Sequence, residues 1–398
     1  MIESIPQGYR FAGVHCEVKP NTTKKDIALV VSDLPATAAG VYTQNLVCGA
    51  PVQLDRTRTP GTGFRAVVTN SGVANACTGE LGLANARTMT AWAAKEIGAP
   101  ADKALVMSTG VIGIHLPMDR IEKGIAQAAK SLAYGQEAFM DAATGMMTTD
   151  TVSKTASRTV KLSSGKTVVV AGMCKGAAMI GPNMATMLCV VMTDAYLAPE
   201  DAQNILRQSA DRTFNCISVE GHTSTSDTVL LLANDAAQTG PLSDADKALV
   251  AQAIEEVCQD LARMIPNDGE GVSHLITIDV TGCPDAASAK AIAKTIANDA
   301  LVKTAICGAD PNWGRIVSAA GRAGVPFDPM KVSLKVNGFE LYRNGTPLDF
   351  DKPLVSDNIR QNRDTHFELF LQEGDGAARF WTSDLTQEYV RLNSDYTT

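Results

Sequence analysis

Two hydrophobic patterns alternate along the whole chain, and this alternation constrains the fold more than any other feature. Short apolar runs of strand length end in polar turns, whereas longer stretches repeat apolar residues at helical spacing. The strand-like runs are 66–69, 104–107, 187–193, 275–280, 366–371 and 378–381. The helical stretches are 84–97, 119–133 (with Asp119 as a candidate N-cap), 200–212, 244–264 and 286–297. The alternation predicts a mixed α/β fold.

Two further segments predict β-hairpins. Residues 163–166 separate two strand-like runs, and Asn337-Gly338 is a strong turn sequence within 332–342. No internal repeat or low-complexity linker divides the chain, and 398 residues suffice for two or three domains or for one large two-lobed fold. We therefore expect two intimately packed α/β lobes, the second beginning at residue 187.

The composition is that of an ordinary globular protein and argues against several partners. The hydrophobic fraction is 45%, and the formal net charge is -8. Since nucleic-acid binders usually carry a basic face and no long Lys/Arg cluster occurs here, we expect no nucleic-acid partner. No apolar run approaches the roughly 20 residues of a membrane helix, and the first residues lack the pattern of a signal peptide. We expect no membrane association and a cytoplasmic location.

The cysteines and histidines give no support for a disulfide framework or a metal site. The nine cysteines are odd in number and scattered, without a Cys-x-x-Cys pair. This usage favours free thiols in a reducing compartment. The five histidines form no His-Glu-x-x-His pattern and are not spaced near cysteines, so we predict no metal ion.

The stretch 175–188, Lys-Gly-Ala-Ala-Met-Ile-Gly-Pro-Asn-Met-Ala-Thr-Met-Leu, allows two interpretations. The plain one is a Gly/Pro turn followed by a strand. The other gives weight to the small residues before Thr186, a hydroxyl residue that opens the apolar run, and to Asn183 three positions earlier. This layout would expose the peptide bond before Thr186 to attack by that hydroxyl.

The run 182–188 strongly resembles the self-processing site of the ornithine acetyltransferases, the ArgJ family, also called bifunctional glutamate N-acetyltransferase/amino-acid acetyltransferase. The resemblance extends over nearly the whole chain. Its other blocks are 70–72, 74–79, 108–113, 148–151, 223–225, 227–228, 268–271, 310–315 and 389–398. Many specific blocks in the same order argue against a chance match.

The resemblance implies the fold of the self-processing, N-terminal-nucleophile-like ornithine acetyltransferases. It implies self-cleavage between Ala185 and Thr186 into an α chain (1–185) and a β chain (186–398), paired as an α2β2 heterotetramer. The implied reaction moves acetyl from N2-acetylornithine to glutamate through an acetyl-Thr186 intermediate, in arginine biosynthesis. No tightly held cofactor is implied, and acetyl-CoA stays open as a further donor.

Threonine chemistry explains why Thr186 would need to become an N-terminus. An unactivated threonine is a poor nucleophile at neutral pH and needs a base within hydrogen-bonding reach. Cleavage would create that base, because a free α-amino group has a pKa of about 7.7–8.0. Covalent geometry holds this amine beside the Thr186 hydroxyl, which removes much of the entropic cost of positioning.

The resemblance also assigns the remaining site residues. It gives stabilisation of the developing oxyanion to Thr109 and Gly110. The implied substrate-binding residues are Thr149, Lys175, Thr186, Glu270, Asn393 and Thr398. Lys175 would bind the substrate carboxylate and Glu270 an amine. For the role of Thr149, Thr148 and Thr151 are neighbouring candidates.

Without the resemblance, these residues have plain interpretations. Thr109-Gly110 would be a turn after a strand, Lys175 a solvated surface residue and Glu270 an exposed loop acid. The chain also departs from the family pattern at four positions, which bear on acyl-donor preference: Val73, Ala178, His222 and Ser226. We interpret His222 as a surface or core residue rather than a catalytic one.

Two other functions fit the same residues. The acyl group could be passed to water, which would make the protein an aminopeptidase or amidase. Alternatively, the chain could be a non-catalytic binding protein for acetylated amino acids. If glutamate accelerates deacylation, the protein is an acetyltransferase rather than a hydrolase. Intact mass together with an acetyl-transfer assay distinguishes an enzyme from a binding protein.

Self-cleavage gives the first testable prediction. The purified wild-type chain should give two masses, those of residues 1–185 and 186–398, because Thr186 attacks the Ala185 carbonyl. Thr186→Ala should remain whole, whereas Thr186→Ser should be partly processed, since it keeps the hydroxyl but loses the methyl group that restricts its rotamer. Intact mass spectrometry checks this, and a cleaved Thr186→Ala chain would contradict it.

Overall fold

The computed structural model describes residues 2–20, 22–181 and 187–395. The predicted cleavage residues Ala185 and Thr186 lie outside the described residues, and so does the predicted binding residue Thr398.

The described residues form a mixed α/β fold, as predicted. The strands are β1 (Tyr9–Val14), β2 (Ile27–Tyr42), β3 (Gly61–Val73), β4 (Ala104–Val111), β5 (Lys154–Lys161), β6 (Thr167–Lys175), β7 (Leu188–Thr193), β8 (Ile217–Ser218), β9 (Thr228–Ala233), β10 (Leu275–Cys283), β11 (Ser333–Val336), β12 (Phe339–Arg343), β13 (Thr346–Pro347), β14 (Asp364–Phe370) and β15 (Gly376–Ser383). The helices are α1 (Ala50–Arg56), α2 (Gly79–Glu96), α3 (Met118–Lys130), α4 (Gln136–Met146), α5 (Pro199–Arg212), α6 (Asp244–Asn267), α7 (Ala286–Ala297), α8 (Ala300–Cys307), α9 (Trp313–Gly321), α10 (Lys352–Gln361) and α11 (Gln387–Asp395). Short 3₁₀ turns occur at Phe214–Cys216 and Pro329–Lys331.

The first sheet has the strand order β4-β3-β2-β9-β7-β6-β5, and β1 pairs with β2. The β3–β4 and β7–β9 pairs are parallel, and the other pairs are antiparallel. The long strand β2 pairs with β1 along its first part, with β3 as far as Ala38, and with β9 from Thr37 onward. Its register with β3 shifts between Val31 and Ala38, where the two halves meet.

This first sheet folds back on itself. Four strands separate β4 from β6, so in a flat sheet the two would lie about 24 Å apart at the usual spacing of about 4.8 Å. Yet Lys175 Nζ of β6 lies 3.3 Å from Thr109 Oγ1 of β4. One apolar cluster also contains Val30 and Leu105 from one half of the sheet together with Val190 from the other. The two halves are therefore layers that share a core.

Strand side chains alternate between the two faces of a sheet, so apolar side chains also point outward from each layer. Helices cover these outer faces. Val30 of β2 belongs to the inner cluster, whereas its neighbours Leu29 and Val31 pack with helices α2 and α3. On the other layer, Val191 and Leu231 pack with α5 and α6. Helix α4 contributes to the inner cluster, where Phe139 meets Phe11 edge to face at a centroid distance of 5.0 Å.

The second sheet has the order β13-β12-β11-β14-β10-β15-β8. Its buried residues, such as Ile278 and Phe367, share one apolar cluster with α5, α6, α7 and α9. The prediction of intimately packed lobes is thus confirmed. Within the described ranges, no helix combines the length and apolarity needed to cross a membrane.

Most of the predicted strands and helices are confirmed, including both hairpins: β5 pairs with β6, and β11 with β12. Asn337 and Gly338 have the positive φ angles, 49° and 81°, of a tight hairpin turn. Three expectations were wrong. Asp119 lies in the first turn of α3, whose N-cap is Pro117. Residues 70–72 and 108–110 continue β3 and β4 instead of forming turns. The second lobe does not begin at residue 187, because β7 and β9 belong to the first sheet.

This topology predicts how the two parts of a cleaved chain behave. Strands β7 and β9 lie between β2 and β6, so residues after 186 fill the middle of a sheet begun by residues before it. When the two fragments, residues 1–185 and 186–398, are expressed separately, each should be insoluble or should unfold without a cooperative transition. The two fragments of the cleaved chain should co-purify. Sedimentation and thermal unfolding measure this. A fragment that alone is soluble and unfolds cooperatively would contradict the shared sheet.

Candidate active site

Strand pairing brings the ends of β6, β7 and β9 side by side. Lys175 pairs with Leu188, and Leu188 pairs with Thr228, so these residues form one row across the sheet. One position beyond the row, the Met187 backbone N–H donates to Asp227 Oδ1 at 3.0 Å. Because Met187 is bonded to Thr186, the predicted nucleophile joins the described chain at this edge.

Two glycines shape the neighbouring edge at the ends of β3 and β4. Gly72 and Gly110 are paired, with φ angles of +120° and +130°. A Cβ at Gly110 would lie 2.2 Å from the carbonyl carbon of Gly72, so only glycine fits. The predicted oxyanion residues Thr109 and Gly110 therefore lie in a close backbone contact at the end of a strand, and the plain interpretation as a turn was wrong.

Lys175 is the buried cation of the cleft. It is 3% exposed, so the plain interpretation as a surface lysine was wrong. Among the described residues, the only hydrogen bond of its side chain joins Nζ to Thr109 Oγ1 at 3.3 Å. Burial lowers the pKa of Lys175, and the Asp150 carboxylate opposes this. A buried ammonium with spare donors favours an anionic ligand.

Lys175 lies near a buried cluster of charged residues, and Asp150 of this cluster acts on it electrostatically. Lys154 Nζ lies 2.7 Å from Asp150 Oδ1 and 2.6 Å from Asp268 Oδ2, and the Lys154 side chain is fully buried. The Gly176 backbone N–H donates to Asp150 Oδ1 at 2.6 Å. Burial would raise the pKa of Asp150, but Lys175 and Lys154 outweigh it and lower that pKa to about 2. Asp150 is therefore a carboxylate at neutral pH and supplies negative potential at Lys175.

Glu270 also lines the cleft and belongs to a loop that contacts the C-terminal helix α11. Its backbone N–H donates to the Ala177 carbonyl at 3.1 Å, and Asn393 Nδ2 donates to its Oε2 at 3.0 Å. Thr386 Oγ1 bonds the Gly271 carbonyl at 2.7 Å, which anchors α11 to this loop. Glu270 is half-buried rather than freely exposed. The predicted residues at 270 and 393 are therefore neighbours, although 123 positions separate them.

The predicted site residues that the structure describes all line one cleft. Among its lining residues are Thr109, Gly110, Thr149, Lys175, Glu270 and Asn393. Their roles stay predictions. Thr148 also lines the cleft, whereas Thr151 donates its backbone N–H to Asp268 Oδ2 at 3.0 Å and does not line it.

The four departures from the family pattern fall in different places. Ala178 and Ser226 line the cleft, so they are positioned to affect what binds there. Val73 is buried in the apolar cluster beneath α2 and α3. His222, interpreted as a surface or core residue, is exposed and therefore a surface residue.

Lys19 is a lining residue that sequence reasoning missed. Its Nζ donates to the Met147 carbonyl at 2.6 Å and to the Lys25 carbonyl at 2.7 Å, which fixes the ammonium beside the cleft. Burial lowers its pKa to about 8. A lysine in a polar loop gives no sequence signal for such a position. Lys154, Asp150 and Asp268 were given no role either, because Asp268 is 114 positions from Lys154 and the spacing of four between Asp150 and Lys154 is not by itself a site signal.

The cleft differs from the other hollows of the surface. A wider, more open hollow lies on the exposed face of the second sheet, near Asp279, Glu368 and Arg379, and contains none of the predicted site residues. Among the residues that the structure describes, no group of three His, Cys, Asp or Glu side chains is placed to hold a metal ion.

Fold and cleft together define a mixed α/β protein in which a buried lysine and a carboxylate face one small cleft at the end of a strand. The ArgJ family model matches residues 10–398. The chain therefore belongs to the ArgJ family, as its motifs predicted.

Full-length relatives support the same assignment. The chain is 47% identical over 397 residues to the arginine biosynthesis bifunctional protein ArgJ of Rhodopirellula baltica, covering 99% of this chain and 96% of that protein. It is 42% identical over 403 residues to the protein of the same name from Thermotoga neapolitana, covering 99% and 100%. A crystal structure of the Bacillus halodurans ArgJ protein matches with a TM-score of 0.50 and 34% identity, over 51% of this chain and 96% of that chain.

The ion cluster generates a stability prediction. Lys154→Met should leave the buried Asp268 carboxylate without its counter-ion and Asp150 with Lys175 alone, at a cost of about 3–5 kcal/mol in the free energy of unfolding. Urea unfolding measures this. Lys161→Met, at the exposed end of the same strand, is the matched control and should change stability by less than about 0.5 kcal/mol. Equal effects of the two substitutions would contradict the cluster's role.

Proposed function

We propose that this chain transfers acetyl from N2-acetylornithine to glutamate through an acetyl-Thr186 intermediate, after cutting itself before Thr186. Acetyl transfer in arginine biosynthesis is the activity of the family to which the chain belongs. The observation that carries the detailed proposal is the cleft at the end of β6, which Lys175 and Glu270 both line. Lys175 pairs with Leu188, two residues after Thr186 in the chain.

The charges of the cleft fit an N-acetylated diamino acid. N2-acetylornithine carries an α-carboxylate and a side-chain ammonium but no charge on the acetylated nitrogen. In this proposal Lys175 binds the carboxylate and Glu270, which accepts a hydrogen bond from Asn393, binds the ammonium; both line the cleft. Charge-assisted hydrogen bonds of this kind fix orientation as well as affinity. Together they would place the acetyl carbonyl near Thr109 and Gly110.

The first half-reaction is acylation of Thr186. Its α-amine takes the proton from Oγ as Oγ bonds to the acetyl carbon, and the negative oxygen that develops is stabilised at Thr109 and Gly110. The bond between the acetyl carbon and N2 then breaks. The proton passes from the α-ammonium to N2, so ornithine leaves as an amine.

The second half-reaction reverses these steps with glutamate. The amine of glutamate attacks the acetyl-Thr186 ester, its proton passes to the Thr186 oxygen, and N-acetylglutamate leaves. Self-processing uses the same nucleophile. Thr186 Oγ attacks the Ala185 carbonyl, the bond from that carbon to the Thr186 nitrogen breaks, and the hydroxyl proton passes to this nitrogen, which becomes the α-amine. Water then opens the resulting ester and leaves the Ala185 carboxylate and the free Thr186 hydroxyl. The matching Bacillus halodurans chain has about half the length of this one, since 96% of it covers 51% of this chain. A solved chain of this length supports processing.

The remaining features of the proposal concern assembly, location and cofactors. We propose an α2β2 heterotetramer in the cytoplasm, without a resident cofactor. Light scattering of the purified, cleaved protein measures the assembly. Acetyl-CoA is tested as a second donor in the experiment that follows.

The transfer mechanism is tested by locating the acetyl group. Brief incubation of the cleaved wild type with N2-acetylornithine alone should add one acetyl mass to the 186–398 fragment, at Thr186. Glutamate should remove it rapidly with formation of N-acetylglutamate, the behaviour of a covalent acyl-enzyme. Intact mass and peptide mapping check both steps.

Parallel arms separate this function from its alternatives. Removal of the acetyl group equally fast by water and by glutamate would indicate a hydrolase, and absence of any acetyl adduct or transfer would indicate a binding protein. Replacing N2-acetylornithine by acetyl-CoA tests the second donor. Acetylation of the 1–185 fragment would overturn the proposed nucleophile.

A further inference from the structure

A buried carboxylate that the steps above do not use is hydrogen-bonded to Met187, the residue after Thr186 in the chain. Asp227 is fully buried and immediately precedes β9, whose first residue, Thr228, pairs with Leu188 of β7. Its Oδ1 accepts the Met187 backbone N–H at 3.0 Å. Among the described residues, its Oδ2 has no hydrogen-bond partner. An unsatisfied buried carboxylate oxygen is unfavourable unless a donor reaches it at some stage.

Processing would create such a donor at the adjacent residue. Cleavage converts the Thr186 amide into an α-amine, which takes up a proton as an ammonium, and Met187 is the next residue along the chain. We propose that Asp227 is the positioning residue for this amine, its Oδ2 accepting a hydrogen bond from the Thr186 α-amino group. This inference rests on the proposed function, in which that amine is the base.

The surroundings of Asp227 fit this role. Burial raises its pKa well above the usual range, while the Met187 N–H, Thr43 and the charge of Lys175 lower it. Among the described groups, Lys175 is the charged residue that acts on it. An ammonium generated at Thr186 would supply a second countercharge and favour the carboxylate form.

The proton balance follows from the pairing. When Thr186 Oγ bonds to the acetyl carbon, its proton moves to the α-amine, and the resulting ammonium pairs with the Asp227 carboxylate. The proton then leaves with the N2 of ornithine as the carbon–nitrogen bond breaks. Asp227 therefore acts through the amine and neither gains nor loses a proton over the cycle.

The matched pair of substitutions is Asp227→Asn and Asp194→Asn. Asp194 is also buried, lies just after the opposite end of β7, and accepts the backbone N–H groups of Gln7 at 3.0 Å and Val169 at 2.7 Å. Both changes replace a buried carboxylate by an isosteric amide. Only Asp227→Asn removes the acceptor proposed for the Thr186 amine, while its Oδ1 can still accept from Met187.

The test measures processing by intact mass, the pH profile of kcat/KM for N2-acetylornithine, and melting temperature. Asp227→Asn should slow processing and lower kcat/KM by about tenfold to a hundredfold. Its acidic limb should move to lower pH by about one unit, because the ammonium loses its countercharge. If Asp227→Asn stays uncut, residues 1–185 and 186–398 carrying the substitution are co-expressed so that the Thr186 amine is present, and the same pH profile is measured on the pair. Asp194→Asn should keep the wild-type pH profile.

Two results would overturn the inference. One is wild-type processing and an unchanged pH profile in Asp227→Asn. The other is an equal loss in both variants that follows melting temperature, which would make Asp227 structural. Failure of the proposed function itself is distinguishable, since the wild type would then not acquire acetyl on residues 186–398.

Discussion

The fold-back of the first sheet is the constraint on which the site depends. Strands β4 and β6 are distant in hydrogen-bonding order, yet Thr109 and Lys175 lie in hydrogen-bonding contact. The long strand β2 makes this possible, because its two halves pair with different strands in different layers. The inner apolar cluster then holds the layers together. Burial of apolar surface between the layers thus positions polar groups at their edge.

Electrostatics in the cleft follows from the same packing. Lys154, Asp150 and Asp268 form a buried cluster of one cation and two carboxylates, and Lys175 adds a second cation beside Asp150. Isolated charges would be costly at such depth, so the cluster is stable only with all its members present. Lys175 keeps spare hydrogen-bond donors, and Asp227 Oδ2 has no partner among the described residues. Asp227 also accepts from Met187, the residue after Thr186.

Local pattern was enough to predict much of the fold. The amphipathic helices and both hairpins follow from periodicity and turn residues, as the Asn337-Gly338 turn illustrates. Strand β2 was missed because alanines and Pro35 weaken its apolar alternation, although the second half of the strand is central to the sheet. Placing β7 in a second lobe was wrong because strand order depends on long-range pairing, which periodicity does not encode.

The candidate site was predicted through family motifs rather than through local chemistry. Taken alone, Lys175 and Glu270 gave plain surface interpretations, and only the fold shows one buried and the other held by Asn393. The roles considered for Lys19 and Asp227 depend on contacts with residues far away in sequence, which the sequence alone does not reveal. The central claim is that residues before and after the cut form one acetyl-transfer cleft. A crystal structure of the cleaved protein trapped with N2-acetylornithine tests it most directly. It should show acetyl on Thr186 with its carbonyl oxygen at Thr109 and Gly110, and ligand in the hollow of the second sheet with Thr186 unmodified would contradict the account.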